Sequence, residues 1–145
     1  MKAFPHAYRV GATAQAEGDV LLSSNGLEAL RSAAPVEFDG PGDRWSPETL
    51  LVGALADCFV LTFRAIARAS KLPWEALDVD VTGTLERDQG NSRFTRFDVH
   101  ARLRLPPGTD GLLAERLLHK AEAGCLVSNS LTGERRLETV VESAS

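Results

Sequence analysis

The segment from Arg44 to Lys71, RWSPETLLVGALADCFVLTFRAIARASK, constrains this chain more than any other. Ser46 is a good N-cap, and Pro47 takes the first helical position, where its missing N–H costs nothing. Trp45 can pack on Leu50 as a hydrophobic staple. Beyond the cap the apolar residues recur at helical spacing: Leu50/Leu51, Ala54/Leu55, Cys58/Phe59, Leu61/Thr62, Ala65/Ile66 and Ala69. Arg64, Arg68 and Lys71 crowd the last turns, where cations suit the helix dipole. Pro73 forbids continuation. The spacing predicts a helix near 47–70 with a thiol, Cys58, on the buried stripe at its middle.

The rest of the chain reads mostly as strand. Residues 6–14 and 20–23 alternate, Asn25-Gly26 is a two-residue hairpin signal, and short strands are expected over 27–31 and on to Phe38. Asp39 to Asp43 form a loop. After Pro73, Leu77, Val79, Val81, Gly83 and Leu85 share one strand face. A turn over Asp88–Ser92 leads to a second long strand, Phe97 to Leu105. Phe94 falls out of its register, which predicts a bulge near Thr95–Arg96. Thr109 or Asp110 can cap a second helix, with Leu112, Leu113, Leu117 and Leu118 inward and Gly124 at its end. Cys125 stands at the exit, and a strand over 135–142 points Leu137, Thr139 and Val141 inward. This order predicts an α+β fold, with mainly antiparallel sheets packed with a long central helix and no repeated βαβ.

Composition narrows the function. The 145 residues suit one domain, 1–145. With charges interspersed and a net charge of −4, neither nucleic acid nor an anionic membrane is an expected partner. No apolar run is expected to approach the length of a bilayer span. The first residues, MKAFPHAYRV, have no hydrophobic signal core, so the expected compartment is cytoplasmic. Two cysteines 67 positions apart form neither a disulfide scaffold nor a zinc site. His6, His100 and His119 share no ligand spacing, so no metal and no other cofactor is expected.

Ser46-Pro47-Glu48, then Leu50-Leu51, then Cys58-Phe59 ten residues beyond the glutamate resembles the OsmC/Ohr family, osmotically inducible and organic hydroperoxide resistance proteins. So does the second cysteine, just after a helix and followed by Ser128-Asn129-Ser130-Leu131. The family's frequent form of the first motif is Asn-Pro-Glu; here Ser46 replaces the Asn, and both are N-caps. The resemblance covers nearly the whole chain. It implies an intertwined homodimer with long helices back to back, active sites at the subunit interface, and thiol-dependent reduction of hydroperoxides, organic ones especially. Cys58 would then be the peroxidatic thiol and Cys125 the resolving one. The disulfide would be reopened by an external dithiol or a lipoylated protein.

The residues permit this chemistry. A thiolate attacks the distal peroxide oxygen, an alkoxide leaves, and a sulfenic acid remains for a second thiol to condense with. Cys58 sits on a rigid helix, while Cys125 sits at a helix end, where movement is cheaper. Burial on an apolar stripe raises a thiol's pKa, so a cation is expected to compensate. The family places an arginine in the early strand–turn region, oriented by the glutamate. The corresponding stretch, Ala16-Glu17-Gly18-Asp19, has none, which leaves Arg44, Arg31 and Arg9 as candidates, with Arg44 favoured beside Glu48. Ten helical residues rise about 15 Å. Glu48 therefore cannot touch the Cys58 of its own chain in a straight helix, which predicts a site with the two residues from different chains. The other function class is a non-peroxidase dimer of this kind, binding a small hydrophobic ligand at its interface with idle cysteines.

Overall fold

The computed structural model describes residues 1–143. They form two compact units, Met1–Leu51 and a second from Val52 onward.

The first unit is a three-stranded antiparallel sheet of β1 (Gly11–Thr13), β2 (Val20–Ser23) and β3 (Leu30–Ser32), in that order. β1 is shorter than the expected 6–14, and Tyr8 and Val10 lie exposed ahead of it. Asn25-Gly26 does not make a two-residue hairpin. Gly26, at φ 77°, lies in a turn closed by Leu27 N–H to Ser24 O at 3.1 Å, and β3 starts only at Leu30. The segment ending at Phe38 is a 3-10 turn, Val36–Phe38, rather than a strand. Gly40 is folded back so tightly that a Cβ there would fall 1.6 Å from Ala34 O. The obstruction is backbone, so it cannot swing aside. Gly40→Ala is expected to lower Tm by about 5 °C or more, read by thermal unfolding. None of the described residues of this unit is a buried hydrophobic one; only Ser32 and Ser46 are buried.

The helix α1 (Pro47–Ala69) starts in this unit and continues into the second. Ser46 Oγ accepts from Thr49 N–H at 3.1 Å, and Ser46 N–H donates to Thr49 Oγ1 at 2.8 Å. This is a capping box with Thr in place of the usual acid. Trp45 remains 53% exposed, so the expected staple buries little. At the other end Lys71 turns left-handed, at φ 55°. Its N–H reaches Arg68 O at 3.2 Å, and Leu72 N–H reaches Ala67 O at 2.9 Å. That pair is a Schellman motif, sealed by buried Leu72 before Pro73.

The second unit holds the hydrophobic core. α1 contributes Leu55, Phe59, Phe63 and Ala67, a strict i, i+4 stripe, each worth roughly 1.5–3 kcal/mol for the large side chains. Leu61, placed on the buried stripe by the sequence, is 50% exposed instead. The antiparallel pair β4 (Ala76–Asp88) and β5 (Asn91–Leu105) turns through Gln89-Gly90, both at positive φ. The bulge falls as expected: Thr84 pairs Arg96 and Leu85 pairs Phe94, which leaves Thr95 as the extra residue. β5 then crosses through α2 (Gly111–Gly124) and the single-turn α3 (Leu126–Asn129) to β6 (Glu134–Ser143), which pairs parallel to β5. One βαβ crossover therefore accompanies the antiparallel hairpins. Asp110 caps α2, accepting from Leu112 and Leu113 N–H at 3.0 and 3.1 Å. Ala114, Leu117, Leu118 and Ala121 form its buried face, whereas Leu112, expected inside, is exposed. Leu137, Thr139 and Val141 alternate inward on β6 as the pattern required.

The expectation about bilayer spans needs correction. α1 has 23 residues and an 18-residue window of mean hydropathy 1.9, long and apolar enough by length and composition to cross a membrane. Only 22% of that window is buried. The reason is that the helix carries apolar residues all round, not on one stripe.

Candidate active site

Within the second unit α1 presents Cys58 and, one turn on, Thr62. The end of α2 comes up against the same helix, since a Cβ on Gly124 would sit 3.8 Å from Thr62 Cγ2. Cys125 follows at once. Its N–H closes α2 onto Glu122 O at 3.4 Å, and its carbonyl accepts from Asn129 N–H at 2.9 Å to open α3. The two thiols, 67 residues apart in the chain, thus meet as free cysteines. Cys58 is half-buried and Cys125 fully buried.

Their electrostatics differ in sign. Burial pushes the Cys58 thiol up. The Val127 N–H, the Cys125 thiol, the Thr62 hydroxyl at 3.8 Å and the Leu126 N–H all donate toward the sulfur and outweigh burial, so it lies below the ordinary 9.0. Cys125 moves the other way, to about 11. Burial is the main cause; the Ser128 N–H opposes it, and the Cys58 sulfur and the Glu122 charge add to it. Among the described residues no cation is one of the groups that shift Cys58; the lowering comes from these donors. Since the Cys58 value is depressed, its thiolate persists to lower pH than an ordinary cysteine's and is lost as pH falls through that value. Thr62→Val removes one donor and is expected to move the pH midpoint of Cys58 alkylation upward; an unmoved midpoint in an iodoacetamide rate–pH profile would count against the hydroxyl.

Behind Cys125 lies a polar cluster that sequence reasoning did not find. Glu122 Oε1 accepts from Ser128 Oγ at 3.2 Å and lies 3.5 Å from Arg135 Nε. Arg135 Nη1 donates to Ser128 Oγ at 2.5 Å and to Asn129 Oδ1 at 3.0 Å. Ser128-Asn129 after the cysteine was the only hint in the sequence, as a polar pair directly behind a helix exit.

The first unit holds the other two candidates. Arg44 Nε binds Asp19 Oδ2 at 3.0 Å, and Arg31 lies 3.8 Å from the same oxygen. Arg44 is thus tied to Asp19 rather than to Glu48. Glu48, in the first turn of α1, has its Oε1 buried without a hydrogen bond among the described residues. It lines a cavity of about 460 Å³ with Ala12, Val20, Leu22, Phe38 and Leu50. α1 is unbroken from Pro47 to Ala69, so ten residues of helix, about 15 Å of rise, separate Glu48 from Cys58 along one chain.

Residues 40–140 match the family model described as OsmC-like protein. The chain belongs to the OsmC/Ohr family. Among its relatives, an uncharacterized protein of Bacillus subtilis, YmaD, is 30% identical over 123 residues, 83% of this chain and 82% of that one. An organic hydroperoxide resistance protein of Xanthomonas axonopodis pv. citri is 32% identical over 126 residues, 84% of each. A solved organic hydroperoxide resistance protein of Legionella pneumophila superposes with a TM-score of 0.74 at 27% identity, over 97% of this chain and 99% of that one. The α+β architecture described above is thus that of the OsmC/Ohr fold. In this OsmC/Ohr chain α1 and the α2–α3 junction carry the two thiols.

Proposed function

We propose that this protein is a thiol-dependent peroxidase that reduces organic hydroperoxides, and hydrogen peroxide as a further substrate, in the cytoplasm. The observation that carries the reading is the pairing of two free thiols with opposed acidities. The Cys58 thiolate attacks the distal oxygen of ROOH. The O–O bond breaks, the alkoxide leaves and is protonated to the alcohol, and Cys58 becomes a sulfenic acid. Cys125 then attacks that sulfur. The S–S bond forms, the S–O bond breaks, and the hydroxide leaves with the Cys125 proton as water. An external dithiol, a small thiol or a lipoylated protein, reopens the disulfide by exchange.

A homodimer completes this proposal. The three-stranded sheet of the first unit has no buried hydrophobic residue among those described, and much of the apolar α1 surface, Leu50, Leu51, Val52, Val60 and Leu61 included, is only half-buried or exposed. Both need a partner surface. The dimer would let Glu48 of one protomer serve the Cys58 of the other, since along its own helix it is too far away. Arg44 keeps its place in the proposal as a loop cation near the start of α1, reached through Asp19 rather than through Glu48.

The named relatives of the hydroperoxide resistance class support the substrate. The test mixes reduced protein with cumene hydroperoxide and with hydrogen peroxide, and follows peroxide loss, free thiols and disulfide mapping. Peroxide loss with a Cys58–Cys125 disulfide is the expected result. Loss of peroxide that survives Cys58→Ser, or no disulfide at all, rejects it. The apolar cavity beside Glu48 favours a second reading, a non-peroxidase dimer binding a small hydrophobic molecule. Binding of such a molecule by a protein whose thiols stay reduced under peroxide is the outcome that would select it.

A further inference from the structure

Glu122 is a buried carboxylate that the reaction above does not use. Its side chain is 14% exposed, and its Oε2 is buried without a hydrogen bond among the described residues. It sits three residues before Cys125, in the last turn of α2, and residues at that spacing share a helix face. The carboxylate is not free to swing away. Ser128 holds Oε1 from α3, and Arg135 holds it from β6, itself fixed to Ser128 and Asn129. The groups that bear on this corner are Cys58 and Thr62 from α1, Ser128 and Asn129 from α3, and Arg135 from β6. Arg135 is the one cation in that set, and it lies on Oε1, shared among three partners.

We propose that Glu122, clamped by Arg135 and Ser128, is a positioning residue that adds to burial in setting the order of the two thiols, so that Cys58 reacts first and Cys125 closes the disulfide. A fixed negative charge beside Cys125 disfavours a second anion there. The proton then stays on Cys125, where the thiol can donate to the Cys58 sulfur, and the negative charge of the pair settles on Cys58. The same protonated state protects Cys125 from oxidation before there is a sulfenic acid for it to attack. Burial raises Glu122 itself, against the pull of Arg135 and Ser128, so the effect fades as pH falls through that raised value. The inference rests on the peroxidase reading for its chemistry. The charge effect on Cys125 does not.

The test uses the full chain carrying Glu122→Gln, which keeps an acceptor for Ser128 and Arg135 but loses the charge, and Glu122→Asp, which keeps the charge. In a Cys58→Ser background, thiolate absorbance across alkaline pH reads Cys125 directly. Gln is expected to move its midpoint to lower pH, while Asp leaves it near the parent's. With Cys58 intact, the 2-nitro-5-thiobenzoate mixed disulfide is formed on Cys58, and release of the second chromophore reads Cys125 attack without any peroxide. Gln is expected to speed that release by about threefold or more at neutral pH, because more of Cys125 is thiolate. An unmoved Cys125 midpoint in a Gln variant with the parent's circular dichroism overturns the proposal, and so does release that is unchanged or slower. If both thiol results hold while peroxide is not consumed, the peroxidase reading fails and the role of Glu122 stands.

Discussion

Replacing Cys58 with serine is expected to lower hydroperoxide consumption by about a thousandfold or more, because the reaction has no other ionised sulfur to begin it. A serine hydroxyl is far less acidic than the thiol, whose acidity burial opposes and Val127 and Leu126 N–H, Cys125 and Thr62 raise. Cys125→Ser is expected to behave differently. Cys58 would still be oxidised once, so one equivalent of peroxide disappears, and sulfenic acid then accumulates and proceeds to sulfinic acid with excess oxidant. Stopped-flow peroxide loss with mass spectrometry of the Cys58 peptide separates the two. Equal single-turnover rates for Cys58→Ser and the parent would remove the peroxidatic role from Cys58. Because Cys125 also donates to the Cys58 sulfur, Cys125→Ser changes that bond, and the first oxidation would show a shifted pH midpoint as well.

Phe63→Ala carries the largest expected effect on stability. The ring is fully buried on α1 and meets Trp74 edge to face, with centroids 5.5 Å apart and planes at 74°. Truncation leaves a cavity in the one core cluster to which α1, β5 and α2 all contribute. The cost is about 3–5 kcal/mol, a large part of the roughly 5–15 kcal/mol of a typical domain. Thermal unfolding should show Tm lower by about 10 °C. A loss below about 1 kcal/mol in denaturant titration would mean that this face of α1 is not the core. The thiol site would suffer with it, since the same helix presents Cys58 from the adjacent face.

Local chemistry made several elements legible. Ser46-Pro47 starts α1 because the cap and the proline act within one turn, and Lys71–Pro73 stops it for the same reason. Phe94 out of register located the bulge at Thr95, since side chains in a strand alternate strictly. Other elements depend on what packs against them. Leu61 and Leu112 read as core on periodicity but are exposed, because the stripe that meets the sheet is shifted by a residue or two. Phe63 and Ala67 take the inner positions on α1 instead. The parallel pairing of β5 with β6 had no signal of its own, as strand direction is set by the α2 crossover and not by any residue in β6.

The candidate site divides in the same way. The two thiols, the capped helix that carries the first, and the helix exit that carries the second could be read from residue order alone, because caps, prolines and helical spacing act over a few residues. The source of Cys58's acidity could not. Sequence logic looked for charged side chains, and the donors that raise that acidity within this chain include the peptide N–H groups of Leu126 and Val127; every residue but proline carries such a group, so no side chain announces it. Glu122 and Arg135 are equally silent in the chain, thirteen residues apart on a helix and a strand, and become an ion pair only when β6 is laid beside β5. The stretch from Ser46 to Lys71 therefore settles where the Cys58 sulfur stands, while its acidity depends on the tertiary contacts of that sulfur with the α2–α3 junction.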